Sequence, residues 1–262
     1  MSLKICSLAS GSSGNCYMIK SEDTVLLVDA GLSGKQICER LYNIGIDAED
    51  VDAILVTHEH SDHIRGLSPL LKLNRQIYTS AKTLDAINLD LNRELCNTFC
   101  PGDSFSVGSI NIESFSTSHD AADPVGYCLS DGENCICIVT DTGYVCEGII
   151  PYMAKADILV LESNHDENIL KVGPYPWFLK QRILGNKGHL SNEAAATALA
   201  ELIASENSSK KRLVLLAHLS KENNFPEMAR ATMENILREK GCKPNACRLC
   251  VLSRSEVSEI YG

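Results

Sequence analysis

The sequence predicts an α/β protein whose sheets are covered by helices on their outer faces. Short apolar runs of four to six residues, rich in Val, Ile and Leu, alternate with helical patterns along the chain. Turn residues such as Asp131-Gly132 indicate hairpins between some of the apolar runs. Later in the chain, strands alternate with helices, a pattern that places helices against the sheets. Together these observations predict an α/β sandwich.

The length and composition indicate one domain in a reducing compartment. With 262 residues, 44% of them hydrophobic, the chain can bury a large core, and we find no linker, repeat or low-complexity tract. We therefore expect a single domain over residues 1–262. The N-terminus lacks a signal-peptide pattern, no window approaches about 18 apolar residues, and the twelve cysteines are typical of reduced core residues. We expect a cytoplasmic protein.

The net charge of −10 limits how the chain could bind nucleic acid. An acidic protein does not adhere to a polyanion through its overall charge. Any contact with nucleic acid must therefore come from a local group of cations.

The individual elements follow from hydrophobic periodicity and from capping residues. Apolar runs predict strands over residues 4–8, 16–20, 24–29, 53–57, 76–79, 110–116, 125–130, 135–140, 158–162, 213–217 and 248–252. Helical patterns predict helices over residues 34–43, 63–73, 83–91, 148–154, 192–205 and 226–240. Ser33 and Ser191 are the expected N-cap residues of two of these helices.

Three of the seven histidines lie in the stretch HEHSDH, which begins at His58 directly after a predicted strand. Because residues two apart on an extended segment point the same way, His58 and His60 can share one ion. Asp62 and His63, at the turn into the next helix, can face a neighbouring ion. A polar loop with solvated imidazoles is the alternative. The spacing of three histidines and one aspartate after a buried strand favours a metal site.

Further ligand candidates stand at the ends of apolar runs. His119 follows INIESFSTS, Asp141 follows CICIVT, and His218 follows LVLLA. Strand ends converge on one rim of a sheet, so residues far apart in sequence can meet there. Each of these residues alone would also fit a polar strand terminator, but together with HEHSDH they complete two coordination spheres.

These motifs resemble the five ordered motifs of the metallo-β-lactamase superfamily. The resemblance rests on Asp29 in LLVDAG, on HEHSDH, on His119, on Asp141 in TDTG and on His218 in LLAHLS. The segments SLASGSSGNCYMI, ESNHD, YPWFLKQRILGNKGHLSN and LSRSE further resemble the bacterial YycJ (WalJ) group, which is nuclease-like. The resemblance implies an αββα sandwich of two mixed sheets covered by outer helices.

Carried over motif by motif, the resemblance implies that the chain binds two divalent metal ions. Three residues would bind each ion: His58, His60 and His119 the first, and Asp62, His63 and His218 the second. Asp141 would bridge the ions. Asp29 would accept a hydrogen bond that orients a ligand, although a turn residue would also fit there. Imidazole and carboxylate ligands admit zinc, manganese or iron.

The ligand set alone leaves the substrate open, since thioesterases of the glyoxalase II type resemble it too. Asp141 stands where many zinc β-lactamases have a cysteine, which argues against a lactam. Glu162 and His189 resemble the acidic residue and histidine that phosphodiesterases of the superfamily place beside the metals. Two ions can share a hydroxide and clamp both oxygens of an in-line displacement. We therefore predict a two-metal phosphodiester hydrolase, an exonuclease-like nuclease, with Asp62, Glu162 and His189 as catalytic residues.

His189 is interpreted as a group that stabilises the phosphorane-like transition state or gives a proton to the leaving oxygen, with Glu162 orienting it. The alternative is a helix-entry residue before Ser191. Two other functions stay open: a thioester or lactone hydrolase, and a redox or regulatory module of the flavodiiron kind. The flavodiiron pattern replaces the second histidine by glutamate, whereas His60 is present here.

Candidate substrate-binding residues lie outside the ligand motifs. Ser12, Ser13 and Asn15 belong to a loop whose glycines and hydroxyls could cradle a phosphate. Gly14-Asn15 could equally be a hairpin turn. His165 fits either a pocket residue or a surface loop.

The segment between Asn168 and Asn192 contains no Asp or Glu and is the predicted contact with nucleic acid. Its cations include Lys180 and Arg182, and it holds Trp177, the only tryptophan. Cations interleaved with aromatic residues suit a groove that follows a nucleic-acid backbone. An amphipathic helix, with Trp177 in the core and the cations on a solvated face, is the alternative.

Overall fold

The computed structural model of the protein describes residues 3–70, 73–205 and 210–262. The chain divides into two structural units. Unit 1 consists of Met1–Ser116, Ala121–Asn134 and Ser253–Gly262, and unit 2 consists of Thr117–Asp120 and Cys135–Leu252. That residues 1–262 act as one hydrolase domain stays a prediction.

Unit 1 contains a six-stranded mixed sheet in which the spatial order of the strands is their order in the chain. The strands are β1 (Lys4–Ala9), β2 (Cys16–Lys20), β3 (Val25–Val28), β4 (Ala53–Leu55), β5 (Gln76–Ser80) and β6 (Cys96–Phe99). β1 to β3 pair antiparallel, and β3 to β6 pair parallel. Because β3 and β4 are parallel neighbours, the segments that follow them leave the sheet at the same edge, where Asp29 and Thr57 lie.

Three further strands of unit 1 pair antiparallel in chain order: β7 (Ser104–Val107), β8 (Ile110–Ser116) and β9 (Val125–Ser130). The turn predicted after β9 is present. Gly132 has a φ of 93°, which favours glycine, and the Asp131 side chain accepts hydrogen bonds from the N–H groups of Glu133 and Asn134.

The helices in the described part of unit 1 are α1 (Gly34–Asn43), α2 (Ser61–Ile64), α3 (Leu67–Leu70) and α4 (Ala81–Ala86). α1 begins at the predicted N-cap Ser33, which forms a capping box with Gln36. Ile37 and Leu41 on α1 are fully buried in the apolar core of unit 1. Burying a side chain of this size contributes roughly 1.5 to 3 kcal/mol to the free energy of unfolding.

The prediction of one helix over residues 63–73 is wrong. α2 ends at Ile64 and α3 begins at Leu67, while residues 71 and 72 lie outside the described part of the chain. Pro69 explains the break, because proline lacks an N–H and its ring would clash with the carbonyl group four residues earlier in a continuous helix.

Unit 2 contains four strands that pair parallel in chain order: β10 (Cys135–Val139), β11 (Ile158–Glu162), β12 (Arg212–Ala217) and β13 (Cys247–Val251). The carboxyl ends of parallel strands lie at one edge of a sheet, so Asp141, Glu162 and His218 come together there. The helices described in this unit are α5 (Ile150–Lys155), α6 (Glu167–Val172), α7 (Trp177–Leu184), α8 (Asn192–Ser205) and α9 (Pro226–Glu239).

All the predicted strands are present to within two residues of the expected ends. β6 and β7 were not predicted, since each has only four residues and polar side chains interrupt its apolar pattern. α6 and α7 were also not among the predicted helices. The helix predicted over residues 83–91 ends instead at Ala86. No helix in the described ranges is both long and apolar enough to cross a membrane.

Candidate metal centre

In unit 1, the loop after β4 turns two imidazoles toward each other. His58 Nε2 lies 3.0 Å from His60 Nδ1, and the two ring planes meet at 81°. Two nitrogens that bind one tetrahedral zinc ion at 2.0 to 2.1 Å lie roughly 3.3 Å apart. The two rings therefore have the spacing of ligands to a single ion.

Asp29 and Thr57 hold the rings of His58 and His63 in place. The Thr57 N–H and hydroxyl donate to the Asp29 carboxylate at 2.8 and 2.9 Å, and Thr57 Oγ1 lies 3.0 Å from His58 Nδ1. His63 Nδ1 donates to Asp29 Oδ2 at 2.7 Å. Burial raises the pKa of Asp29, while the charge and hydrogen bond of His63 act against that rise. A carboxylate on Nδ1 fixes the tautomer that leaves Nε2 of His63 for a metal.

Asp62 and Asn15 face Nε2 of His63. Asp62 Oδ2 lies 3.6 Å from this nitrogen, and Asn15 Nδ2 lies 3.1 Å from it. Asn15 is buried, whereas Ser12 and Ser13 of the same loop are exposed. Of the three predicted loop residues, only Asn15 therefore touches the candidate ligands of unit 1.

Asp29, Asp141 and His218 share an unusual backbone conformation. Their φ angles are 62°, 56° and 55°, in the left-handed region, and each residue lies at or just past the end of a parallel strand. Such positions cost of order 1 to 3 kcal/mol each and are concentrated at functional sites.

In unit 2, His119 is held with one ring nitrogen fixed. Its Nδ1 donates to the Gly188 carbonyl at 2.9 Å, and its Nε2 lies 3.4 Å from Asp120 Oδ1 and 4.0 Å from Asp141 Oδ1. Burial lowers the pKa of His119, with Asp141 acting against that shift. A neutral imidazole protonated on Nδ1 has its lone pair on Nε2, the form that binds metals.

Glu162 is the centre of unit 2's polar cluster. Its Oε1 accepts from His189 Nδ1 at 2.8 Å and from His218 Nδ1 at 2.9 Å, while Oε2 accepts from the Thr142 N–H at 3.0 Å. Burial alone would raise the pKa of Glu162, but the charge of His189 and the hydrogen bonds from both histidines outweigh it and lower the pKa to about 2. The buried carboxylate is therefore ionised and sets the orientation of two imidazoles.

Asp141 completes this cluster. Its Oδ1 lies 3.4 Å from His218 Nδ1 and 3.7 Å from His189 Nδ1. One ligand atom from each of Asp141, Glu162, His189 and His218 lies within 4.8 Å of the others, and imidazole with carboxylate suits zinc, manganese or iron. Asp141, Glu162 and His218 are almost fully buried, whereas the His189 side chain is 21% exposed. His189 is thus the member of this cluster that a substrate can reach most easily.

His165 lies in the interior, so the surface-loop alternative is wrong. It is 1% exposed, and burial lowers its pKa to about 4, which keeps the ring neutral. Its Nδ1 lies 3.3 Å from Asn164 Oδ1, and its Nε2 has no hydrogen-bond partner among the described residues. Asn164 Nδ2 donates to the His218 carbonyl at 2.8 Å and so braces the backbone of that histidine.

The two predicted substrate-binding cations of the basic segment differ in their surroundings. Lys180 is 9% exposed and its ammonium donates to the Lys171 carbonyl at 2.8 Å, so it ties α7 to α6 instead of facing a substrate. This corrects its expected role. Arg182 is half exposed and pairs with the Asp120 carboxylate. Trp177 is 67% exposed, which overturns the alternative that placed it in the core.

Sequence reasoning missed three polar residues that hold the site. Thr57, Asp120 and Asn164 each support a candidate ligand or the segment beside one. Each is also the sequence neighbour of a residue that was singled out. Adjacency to a candidate ligand is the signal that could have found them.

The model of the family described as the beta-lactamase superfamily domain matches residues 24–218. The chain is 41% identical to exodeoxyribonuclease YycJ of Bacillus anthracis, over 92% of this chain and 91% of that protein. It is 44% identical to exodeoxyribonuclease WalJ of Streptococcus pneumoniae, over 88% of this chain and 87% of that protein.

Solved structures show the same fold at low sequence identity. The metallo-beta-lactamase fold protein YhfI from Bacillus subtilis matches with a TM-score of 0.74 and 19% identity, over 99% of this chain and 100% of that one. Yeast PDE1 matches with a TM-score of 0.73 and 14% identity, over 98% of this chain and 99% of that one.

Proposed function

Because this chain belongs to the beta-lactamase superfamily, and within it to the family of YycJ and WalJ, we propose that it is a metal-dependent exodeoxyribonuclease. The predicted fold class, the metallo-β-lactamase fold, is confirmed. The observation that carries the proposal is identity of 41% and 44% to two exodeoxyribonucleases over about nine tenths of the chain. The Glu162–His189 pair at 2.8 Å supports phosphodiester chemistry.

The residues of both units fit a pair of divalent ions in their chemistry. We assign His58, His60 and His119 to the first ion, Asp62, His63 and His218 to the second, and Asp141 to both. The assignment is supported by the tautomers: hydrogen bonds on Nδ1 of His63, His119 and His218 leave Nε2 as the nitrogen for a metal. When bound, such ions supply Lewis acidity and a water of lowered pKa.

His189 and Glu162 then act on the leaving group. Because Glu162 accepts the Nδ1 proton of His189, the opposite nitrogen of the ring is available to the substrate. When that nitrogen carries a proton, it can donate the proton or a hydrogen bond to the leaving oxygen. Thr142 and Leu190 donate backbone N–H groups to the other oxygen of Glu162 and keep that carboxylate in place.

The donor atoms of the candidate ligands support a choice of metal, and the cysteines support a compartment. Zinc and manganese are the preferred candidates, and iron is admissible for the same ligands. All twelve cysteines are free thiols, which supports the cytoplasm as the compartment. Residues 1–262 would act as one hydrolase domain.

We further propose that α7 contacts the DNA strand near the site. Trp177 and Phe178 are 67% and 72% exposed, and aromatic side chains that bases stack on contribute roughly 1 to 3 kcal/mol per base. Arg182 has a half-exposed side chain and pairs with Asp120, the neighbour of the candidate ligand His119. Replacing Trp177 by alanine should weaken binding of single-stranded DNA and leave cleavage of a small phosphodiester unchanged. Equal losses on both substrates would contradict this contact.

The proposed function is tested by comparing linear and covalently closed circular DNA of the same sequence, with either zinc or manganese added. We expect the linear DNA to be degraded from an end and the circle to persist. A matched RNA, a glutathione thioester and a lactone complete the panel. Hydrolysis of the thioester or lactone with no loss of DNA would contradict the proposal.

A further inference from the structure

Unit 2 contains a second charged feature, a groove of about 880 Å³ between α9, the loop before β13 and the first residues of β12. We refer to it as the basic groove. Among the described residues, its cationic lining residues are Lys211, Arg212, Arg230, Arg238, Lys243 and Arg248, and its acidic lining residue is Glu234. The groove thus carries a formal charge of +5 on a protein whose net charge is −10.

The cations of the basic groove differ in their surroundings. Arg230 pairs with Glu234 and donates to the Leu249 carbonyl, and Arg238 donates to Asn235. Arg212 is 2% exposed and donates to the Ala156 and Ala154 carbonyls, so it belongs to the protein interior. Lys211 and Lys243 are exposed, and their ammonium groups have neither a hydrogen bond nor an ion pair with another described residue. These two lysines are therefore available to a ligand without the loss of an existing contact.

The position of the basic groove relative to Glu162 and His218 follows from the direction of β12. This strand begins at Arg212, in the groove, and ends at Ala217, directly before His218. At about 3.3 Å per residue, the six steps from Arg212 to His218 span roughly 20 Å. The groove is thus a separate feature at the opposite end of the strand.

The side chains that line the basic groove indicate which ligand it binds. Arginine and lysine are the usual partners of phosphate oxygens, and such contacts position a nucleic acid without identifying its sequence. No aromatic side chain lines the groove, so it offers no surface on which unpaired bases could stack. A groove with cations but without aromatic side chains therefore suits the phosphates of a duplex better than it suits a single strand with unpaired bases.

We propose that the basic groove binds the backbone of duplex DNA on the part of the substrate that has not yet been degraded. This inference rests on the proposed function. Since a duplex rises 3.4 Å per base pair along each strand, roughly 20 Å corresponds to about six base pairs from the end being cut. In this arrangement α7 contacts bases of the substrate, and the basic groove contacts phosphates of its backbone.

The cations have a competing explanation. β13 is the last strand in the order of its sheet, and charged residues on edge strands prevent pairing with another chain. A groove that serves only this purpose would not bind DNA.

The test measures binding of the full chain to duplexes of about 5, 10 and 20 base pairs whose ends carry phosphorothioates to resist hydrolysis. The groove variant is Lys211→Glu with Lys243→Glu. The matched control is Lys35→Glu with Lys82→Glu, which changes the net charge equally at two lysines whose side chains are 85% and 75% exposed. Cleavage of a small phosphodiester by each variant checks that the fold is intact.

We expect the wild-type chain to bind the longer duplexes much more tightly than the shortest one. The groove variant should bind the longest duplex roughly tenfold more weakly, with a log-log salt slope shallower by about two, and the shortest duplex as before. The control should match the wild type. Equal losses in both variants, or no loss in the groove variant, would overturn the proposal.

Two further outcomes separate the groove from the proposed function. A wild-type chain that degrades DNA but binds all lengths equally would refute the basic groove alone. A wild-type chain that neither binds nor degrades DNA would refute the proposed function itself. If the groove variant lost affinity for inorganic polyphosphate but kept its affinity for duplexes, another polyanion would be the occupant and the proposal would fail.

Discussion

The candidate ligands of unit 1 and unit 2 are held in different ways. In unit 1 they come from one loop, and Asp29 anchors it by contacting His63 directly and His58 through Thr57. In unit 2 they come from segments widely separated in sequence, and Glu162 accepts hydrogen bonds from two imidazoles at once.

The ligands of the two units therefore depend on other parts of the chain in different ways. Unit 1 orients its ligands by local spacing, with a single carboxylate at the end of a neighbouring strand. Unit 2 relies on the parallel pairing of β10, β11 and β12, which brings their carboxyl ends together. Damage at Glu162 should therefore disturb the assigned ligand His218 and the proposed acid His189 together, whereas damage at Asp29 should disturb assigned ligands only.

The largest effects are expected for residues assigned to the metals in each unit. His60→Ala and Asp141→Ala should each abolish hydrolysis and lower the metal content, because each removes a ligand. His165→Asn serves as a control for metal content, since His165 is buried but is not assigned to a metal. Full activity with unchanged metal in either ligand variant would remove that residue from the ligand set.

His189→Ala should keep both ions and lose about a hundredfold or more of the rate, as expected for a group that acts as an acid. Measured metal content and single-turnover rates separate this result from that of a ligand variant. If the variant lost its metal instead, His189 would have to be assigned to an ion along with the other members of its cluster.

The sequence indicated the candidate ligands of unit 1 more directly than those of unit 2, for a physical reason. His58, His60, Asp62 and His63 lie within six residues, so local periodicity alone shows that their side chains can converge. The meeting of Glu162 with both His189 and His218 depends on strand order, which no local pattern contains.

The sequence also did not predict how deeply individual side chains are buried. Lys180 and Arg182 are two residues apart in a segment without acids, yet one is buried against a carbonyl and the other pairs with Asp120. Trp177, a residue type that usually helps to fill cores, is exposed. Tertiary packing decides these outcomes, as the contact of Lys180 on α7 with the Lys171 carbonyl on α6 shows.

The two anchors can be compared directly. Asp29→Asn and Glu162→Gln should each lower metal affinity by about tenfold or more, the effect of removing a carboxylate that orients a ligand. Only Glu162→Gln should also slow hydrolysis at saturating metal, because Glu162 orients the assigned ligand His218 and the proposed acid His189, whereas Asp29 bonds His63. Metal titration and rates at saturating metal provide the measurements. Equal rates of the two metal-saturated variants would show that the anchors do not differ in this way.

The smallest effect is expected at Thr57, the link between Asp29 and His58. Thr57→Val keeps the shape of the side chain but removes the hydroxyl that contacts both residues, at a cost of about 1 kcal/mol, or roughly fivefold in metal affinity. Thr79→Val is the matched control, because Thr79 is equally buried but bonds only the Val56 carbonyl. A loss of metal as large as that of His60→Ala would mean that Thr57 is essential to the site.

The central proposal for this chain is that its hydrolysis of DNA depends on two bound metal ions. It is tested most directly by removing all metal from the wild-type chain, restoring it stepwise, and measuring bound ions and degradation of linear DNA on the same samples. We predict that the stripped chain is inactive and that full degradation returns as the chain reaches two ions. Full degradation by the stripped chain, or saturation at a single ion with full activity, would contradict the claim.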